Sequence, residues 1–594
     1  MRSAITLLEQ PNMPDSAPAT RPRLEAWLRP GRVAAWLTAL SVLLSLPSVG
    51  AGLRADDHPL VHNARRMPAW AIYGAPHEDF VAGREMGVVA WWTSSALDIR
   101  FLRPLSGLIH AFELRHWPKQ LWLMHFCNVL LYAALVWVAL RLYQRLLPDR
   151  RSWILAALMF AVDDAHAQSV GWIAARNTLL GALFSLATLL LHVNARETRS
   201  RTAVAASVGC LGAALLAAES GLSGFMLLVA YALVLDTGSL RARLTTLTPY
   251  LWVLLPWAAF YAAFGFGAHG TSWLRSFHAP LSLLGQGMLD VPAWFVSLFG
   301  ASAVSALLMW PLPVLRIVTL VLAAPLLWAL WPVLKPAPVG REPARTRLFF
   351  LLATVLCILP LFTTLPQDRL TVPASFGAFG VIGCLFEALL TQTGAAARWR
   401  RGSMVGLHLV LSPLLFIPGL HAIQPLENGI RATLAQLPPT PGQEIVLVNS
   451  PAELLSVYVY SAAWNTGTAV PGAFHQLFTG RGSVTASRVD ARTLELYAPR
   501  GWGGIPIQGS IFDRQPGTPR AGDEVRVRHM RAKVEATGTS GMPERVRFEF
   551  PDALDAPGRV WLVWRGTRPE RWLPPAIGMS ETFAPLDPLS AFER

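Results

Sequence analysis

Charge is what this 594-residue chain has least of: 15% of its residues are Asp, Glu, Lys or Arg, against 53% that are hydrophobic. A soluble protein carries about a quarter charged residues. The shortfall lies mainly before residue 424, where apolar runs of about 17 to 25 residues recur, the length that crosses a bilayer. A soluble globular class is thereby excluded and a polytopic α-helical membrane domain is expected. Cysteine is nearly absent as well. Cys127, Cys210, Cys357 and Cys384 all fall in apolar segments without metal-ligand spacing, which excludes a disulfide framework. No internal repeat links the apolar segments, so the repeat signature common in transporters is missing too. Acidic residues are fewer than basic ones, giving a net charge of +14. The excess arginines sit in short loops between apolar runs, as the positive-inside rule requires, so no nucleic-acid partner is expected.

Eleven spans are expected, at 33–53, 120–142, 152–165, 169–192, 202–218, 220–236, 247–266, 313–332, 347–365, 371–391 and 403–421. Basic clusters alternate with them: Arg21 to Arg32, Arg141 to Arg151, Arg196 to Arg201, Arg241 and Arg243, Lys335 to Arg347, and Arg398 to Arg401. All become cytoplasmic if the polar segment 1–32 is inside. That segment is too long and too interrupted for a signal peptide, so the first span is expected to be an uncleaved anchor. Residues 280–309 are apolar enough to span, but counting them would invert the basic loop near Arg341. They are read as a re-entrant or surface-lying segment. The transmembrane domain then covers 33–423, with long outer loops at 54–119 and 267–312.

After Pro425 charge returns and turn signals become dense. Glu444–Asn449 reads as a buried strand, and Glu524–Arg528, Arg545–Phe550 and Val560–Trp564 read as further strands. Residues 424–594 are expected to form a soluble α/β or mostly β domain on the outer side. They contain no nucleophile motif, metal cluster or phosphate loop, so an accessory role in acceptor binding, or as a lid over the membrane site, is expected.

The chemistry-bearing residues cluster in the outer loops. Asp56-Asp57 directly follows the first span, where one carboxylate could act as a general base while the other holds the loop or a cation. Arg103-Pro104-Leu105 precedes the second span, in which His125 and Asn128 share a helix face at i, i+3. Asp163-Asp164-Ala-His166 and Trp172…Arg176 join the third and fourth spans. They are compatible with an anion or sugar site and leave a divalent cation open. Glu219 lies between two apolar runs. Arg369 ends a turn on the side where arginine is disfavoured and calls for an anionic partner, for which phosphate best fits its planar fork.

In this order these residues resemble the GT-C superfamily of integral-membrane glycosyltransferases. The likeness is nearest to the transmembrane and tetratricopeptide-repeat O-mannosyltransferases and their bacterial relatives. The family's acidic pair is matched by Asp56-Asp57, its Arg-Pro-Leu by Arg103 to Leu105, and its His-x-x-Asn by His125 and Asn128. Its His-Pro-x-His…Val-x-Trp-Ile-x-x-Arg run is similar to Asp163-Asp164-Ala-His166…Val170-Gly-Trp172-Ile173-Ala-Ala-Arg176. Lys-Glu-x-Gly resembles Ala218-Glu219-Ser-Gly221, and Glu-Arg-x-x-x-x-Pro-Ser resembles Asp368-Arg369-Leu-Thr-Val-Pro373-Ala-Ser375. Asp163-Asp164 replaces His-Pro, Ala218 replaces a lysine, and no tetratricopeptide array follows. The resemblance implies transfer of a sugar, with inversion, from a polyprenyl-phosphate donor in the bilayer to the hydroxyl of a protein or glycan acceptor. Asp56 or Asp57 would be the base and Arg369 the phosphate partner. His166, Arg176, Arg103, Glu219, His125 and Asn128 would shape the donor site. High arginine and alanine usage points to a bacterial inner membrane with a periplasmic active side. The alternative is a non-catalytic scaffold of the same fold, or a lipid-linked glycan transporter.

Overall fold

The structure, a computed structural model, describes residues 30–271, 274–275, 279–302, 304–307, 310–334, 342–390, 392–438, 440–480, 482–502, 520–538 and 541–586. The N-terminal segment 1–29 and the basic stretch 335–341 lie outside the described residues. Among the described residues seven helices are long and apolar enough to cross a membrane: Pro30–Gly50, Leu121–Leu146, Ile173–Thr198, Leu312–Pro332, Ala344–Thr363, Asp368–Leu390 and Ala395–Leu434. The remaining expected spans are helical but short: Arg150–Val162, Arg201–Ala217, Leu222–Val234 and Thr248–Ala263. At about 1.5 Å per residue they fall short of the ~30 Å hydrocarbon core. Three of them adjoin single 3-10 turns, Asp164–His166 or Glu219–Gly221, that redirect the chain at one end of the bundle.

Composition decides which helices are central. Beyond its first turn, which carries Asp368 and Arg369, Asp368–Leu390 is mainly apolar and almost wholly buried, whereas Leu312–Pro332 leaves Ile317, Leu320 and Val321 exposed, a lipid-facing pattern. Gly377 and Gly380 let the central helix approach Thr354 and Phe350. Close approach through small residues is how helices associate where no hydrophobic drive separates lipid from protein. Phe376 stacks on Tyr143 at 4.8 Å in the same layer.

The segment expected to be re-entrant is a bent helix pair, Pro280–Leu289 and Val291–Phe299, with a 46° break. Asp290 sits at the break, fully buried, and accepts from Arg275 and from Arg316 (2.7 Å). Two guanidiniums on one carboxylate satisfy a charge that would otherwise be costly to bury.

Among the described residues the C-terminal part has two sheets. The four-stranded one runs Arg568–Trp572, Arg559–Arg565, Glu444–Ser450, Ala473–Thr479. Its central pairs are parallel, which explains why Glu444–Ser450 is buried without alternation. Helix Leu455–Thr466 makes the crossover between its parallel neighbours. The second sheet is antiparallel, ordered Ser580–Phe583, Val484–Arg488, Thr493–Tyr497, Pro543–Glu549, Met530–Thr537, Glu524–Val527. All four expected strands are present, while the helix Leu455–Thr466 was not anticipated.

The first long loop is not an independent excursion. Asp98–Arg100 pairs with Gly74–Ala75 on one side and Gly267–His269 on the other in a small antiparallel sheet. Between the first two strands Trp91 and Trp92 enter the core of the C-terminal domain beside Leu477, Trp502 and Phe548. The Trp91 indole donates to the Leu477 carbonyl (3.1 Å) and that of Trp92 to the Glu453 carboxylate (2.6 Å). Buried aromatics with satisfied N–H groups make this contact strong as well as specific.

Candidate functional site

The acidic pair splits into two different environments. Ala55, between Arg54 and Asp56, has φ +44°, a conformation that L-residues other than glycine rarely hold. The helix Asp57–Arg66 starts immediately after it. Asp57 is fully buried, and its two oxygens accept from the backbone N–H groups of Arg54 (2.9 Å) and Ala174 (2.7 Å). Burial pushes its carboxyl up to about 8 against the pull of those two donors. Asp57 thus ties the start of the helix to the turn Ile173–Ala175.

Asp56 points elsewhere and is only partly buried. Its Oδ1 accepts the phenol of Tyr458 (2.7 Å), from the helix Leu455–Thr466 of the C-terminal domain. Burial raises its carboxyl above the usual range, opposed by the Tyr458 hydrogen bond and the charge of Arg369. Arg369 and Asp56 lie near enough for each charge to act on the other, without closing into an ion pair among the described residues. The Arg369 guanidinium lies over the Trp172 ring at 5.2 Å, and its Nε donates to Gln367 (2.9 Å). Stacking leaves the outer N–H groups in the plane of the fork, suited to an anion. Trp172 is itself fixed, its indole donating to the Arg54 carbonyl (3.1 Å).

Arg103 joins this set from the side. It caps the approach to helix Pro104–His116 and pairs with Glu219 through Nε (2.8 Å) and the terminal nitrogen (2.7 Å). It lies against the Phe101 and Tyr73 rings and near enough to Arg369 to repel it. Glu219 therefore balances one of two neighbouring cations and leaves Arg369, half-buried, as the one without a carboxylate paired to it among the described residues.

The remaining candidates serve each other. Arg176 is fully buried and donates to Asn128 (2.6 Å), to Glu113 and to the Met124 carbonyl (2.6 Å). Asn128 in turn donates to the carbonyls of Val170 (3.1 Å) and Trp172 (3.3 Å). Burial opposes ionisation of Glu113, yet His110 and Arg176 outweigh it and hold its carboxyl below the usual range. His125 reaches the Gly52 carbonyl at 3.3 Å. His166 bonds Ser375 (2.9 Å) and Tyr132 (3.2 Å) and lies 3.3 Å from Asp163. Asp164 accepts from Ser412 (2.8 Å) and from the Ser302 N–H (3.0 Å), and Asp368 from Ser297 (2.7 Å) and the Ser305 N–H (2.8 Å). These two carboxylates hold Ser297, Ser302 and Ser305 next to the turn that carries Arg369. Among the described residues no three His, Cys, Asp or Glu side chains gather as metal ligands.

The site thus brings together Asp56, Arg369, Arg103 and Glu219, with Trp172 and Tyr458 between them. Arg176, Asn128, His125, His166, Asp163 and Asp164 form the buried frame behind it. Glu113, on the helix Pro104–His116, and Gln367, before the turn Asp368–Thr371, were missed because nothing about a single polar residue in the sequence marks its partner. Tyr458 was missed because 402 positions separate it from Asp56.

Fold and site define a polytopic membrane protein whose soluble domain packs against a charged site at one end of a helical bundle. No protein-family model matches the chain. Over 103 residues, 17% of its length, it is 36% identical to Protein O-mannosyl-transferase TMTC2 of Mus musculus, of which it spans 12%. That similarity agrees with the GT-C resemblance of the motifs. Among solved structures it is similar to ArnT from Cupriavidus metallidurans bound to undecaprenyl phosphate. That likeness has 13% identity and a TM-score of 0.38, and covers 74% of this chain and 89% of that one. It is also similar to the Archaeoglobus fulgidus oligosaccharyltransferase in complex with Zn and sulfate. There the identity is 10% and the TM-score 0.36, over 74% of this chain and 62% of that one. At these scores the structural likenesses carry no residue role and no chemistry.

Proposed function

We propose that the chain is an integral-membrane glycosyltransferase of the GT-C type. It transfers a sugar from a polyprenyl-phosphate donor to the hydroxyl of a protein or glycan acceptor. The observation that carries this reading is the meeting of one available carboxylate, Asp56, with one available guanidinium, Arg369, at the end of the bundle. Asp56 takes the acceptor proton as the hydroxyl oxygen bonds to the anomeric carbon. The bond from that carbon to the phosphate oxygen breaks, and its electron pair leaves with the phosphate. Arg369 stabilises the charge that collects there. A phosphate departs without protonation, so a single base suffices and paired carboxylates at hydrolase spacing are not needed. One displacement inverts the anomeric carbon. Arg103, held by Glu219, adds positive field on the donor side, and the lipid tail lies between helices. In this reading the site faces the periplasm from a bacterial inner membrane, with the N-terminus cytoplasmic and the C-terminal domain outside.

The test is transfer of a labelled sugar from polyprenyl phosphate by the purified full-length protein in lipid nanodiscs. Transfer abolished by Asp56→Asn supports the reading. Binding of the labelled lipid without turnover, across a panel of sugars and acceptors, would replace it with the scaffold reading.

A further inference from the structure

The C-terminal domain carries no catalytic motif, yet it places one side chain against the candidate base. Resting on the transferase reading, we infer that Tyr458 is a positioning residue for the transfer, its hydroxyl fixing the orientation of the Asp56 carboxylate. The site is then complete only when the C-terminal domain is docked.

The geometry divides the work between the two oxygens of Asp56. Oδ1 holds the Tyr458 phenol at 2.7 Å. Oδ2 accepts no hydrogen bond among the described residues and is the oxygen left for an acceptor hydroxyl. A carboxylate with one oxygen tethered loses a rotation it would otherwise spend searching, which is how positioning lowers a barrier. Burial raises the phenol well above its usual value, so Tyr458 stays a donor over the ordinary pH range.

The tether is built rather than incidental. Helix Leu455–Thr466 lies along helix Asp57–Arg66, with Asn465 donating to the His58 carbonyl (2.8 Å). Trp464 meets His62 edge-on at 4.5 Å and carries Arg65 over its ring at 5.5 Å. Ser456 donates to the Val88 carbonyl (2.7 Å) in the loop that carries the two buried tryptophans. A phenylalanine at 458 would fill the same space, so packing alone does not call for the hydroxyl.

The charged and titratable groups facing Asp56 are Tyr458 from the C-terminal helix, Arg369 from the turn Asp368–Thr371 and Asp57 on its own helix, with Arg103 behind Arg369. Of these only Tyr458 bonds it directly. Removing a donor from the charged form disfavours that form, so Asp56 in a Tyr458→Phe variant ionises at higher pH.

Two readouts test this on the full-length protein. The first is the pH profile of kcat/KM for sugar transfer. In Tyr458→Phe the acid limb is expected to move up by about one pH unit, with kcat reduced about tenfold or more and KM for the lipid donor little changed. The second needs no turnover: carbodiimide labelling of protonated Asp56 with glycinamide, resolved from Asp57 by peptide fragmentation. Its midpoint is expected to move by the same amount. An unchanged labelling midpoint in Tyr458→Phe overturns the proposal. Should that variant fail to fold, Asn465→Ala, which cuts the tether and keeps the phenol, is expected to move the midpoint the same way by less, and no movement there overturns it instead. A wild-type protein that transfers no sugar removes the transferase reading, while the labelling still decides whether Tyr458 governs Asp56.

Discussion

Changing Asp56 and Asp57 to asparagine one at a time separates chemistry from architecture at neighbouring positions. Asp57→Asn leaves one of two backbone N–H groups, from Arg54 or Ala174, facing an amide NH2 in a fully buried place. An unsatisfied buried group costs ~1–3 kcal/mol, so at pH 4, where Asp57 is neutral in the folded chain, the variant melts lower. Its pH dependence changes too. A carboxyl raised in the folded protein from 3.8 to about 8 contributes stability that is complete below about pH 4 and is lost as pH climbs through about 8. At about 1.4 kcal/mol per pH unit that interval is worth at most ~6 kcal/mol, so the wild-type melting temperature falls from pH 4 to pH 8 and the Asp57→Asn variant loses part of that slope. Asp56→Asn keeps an acceptor for Tyr458, costs little stability and removes the base. A general base is worth ~10²–10⁴-fold in rate. The assays are thermal melts of nanodisc-embedded protein from pH 4 to 9, and single-turnover transfer from labelled lipid donor. A fully active Asp56→Asn variant, or an Asp57→Asn variant inactive at unchanged stability, refutes the assignment.

Four other expectations follow from contacts already described. Arg369→Lys keeps the charge but loses the planar fork stacked on Trp172, so donor binding measured by lipid displacement weakens about tenfold or more. Gly171→Ala drives a methyl into the Leu420 carbonyl, which also accepts from Arg54 (2.9 Å). The expected result is lower activity together with a loss of stability of ~1–3 kcal/mol, read by melting. Ala55→Gly relieves the φ of +44° and is expected to raise stability by about 1 kcal/mol, at unchanged turnover. Trp91→Ala removes a fully buried indole and its bond to Leu477, costing ~3–5 kcal/mol and exposing the first loop to limited proteolysis.

Much of the fold was legible because a bilayer imposes length. Apolar runs near twenty residues can do little else, so every expected span is a helix. The short ones were misjudged because hydropathy does not register where a 3-10 turn ends a helix, as at Asp164–His166 and Glu219–Gly221. Strands of the C-terminal domain were readable from alternation and β-branched content, whereas Leu455–Thr466 was not, since its aromatic and β-branched residues favour neither period. Within the site, Asp56, Arg103, Glu219 and Arg369 stood out as charges where charge is costly. Sequence could not tell that Arg176 commits all three of its side-chain nitrogens to Asn128, Glu113 and Met124, nor that two adjacent aspartates diverge. That divergence depends on one left-handed residue, Ala55.

The tryptophans at 91 and 92 impose an order on biogenesis. Trp91 meets its carbonyl partner 386 positions later in the chain. At translation rates of about 5–20 residues per second, the ribosome delivers that partner on the order of 20 to 80 s after the indole emerges. Through that interval the nascent loop holds two large aromatic rings with no home, a natural client for a chaperone or for the lipid surface. Severed from the preceding helices, the C-terminal domain would begin life with a hole at its centre, so its expression in isolation is expected to give a loosened, aggregation-prone product.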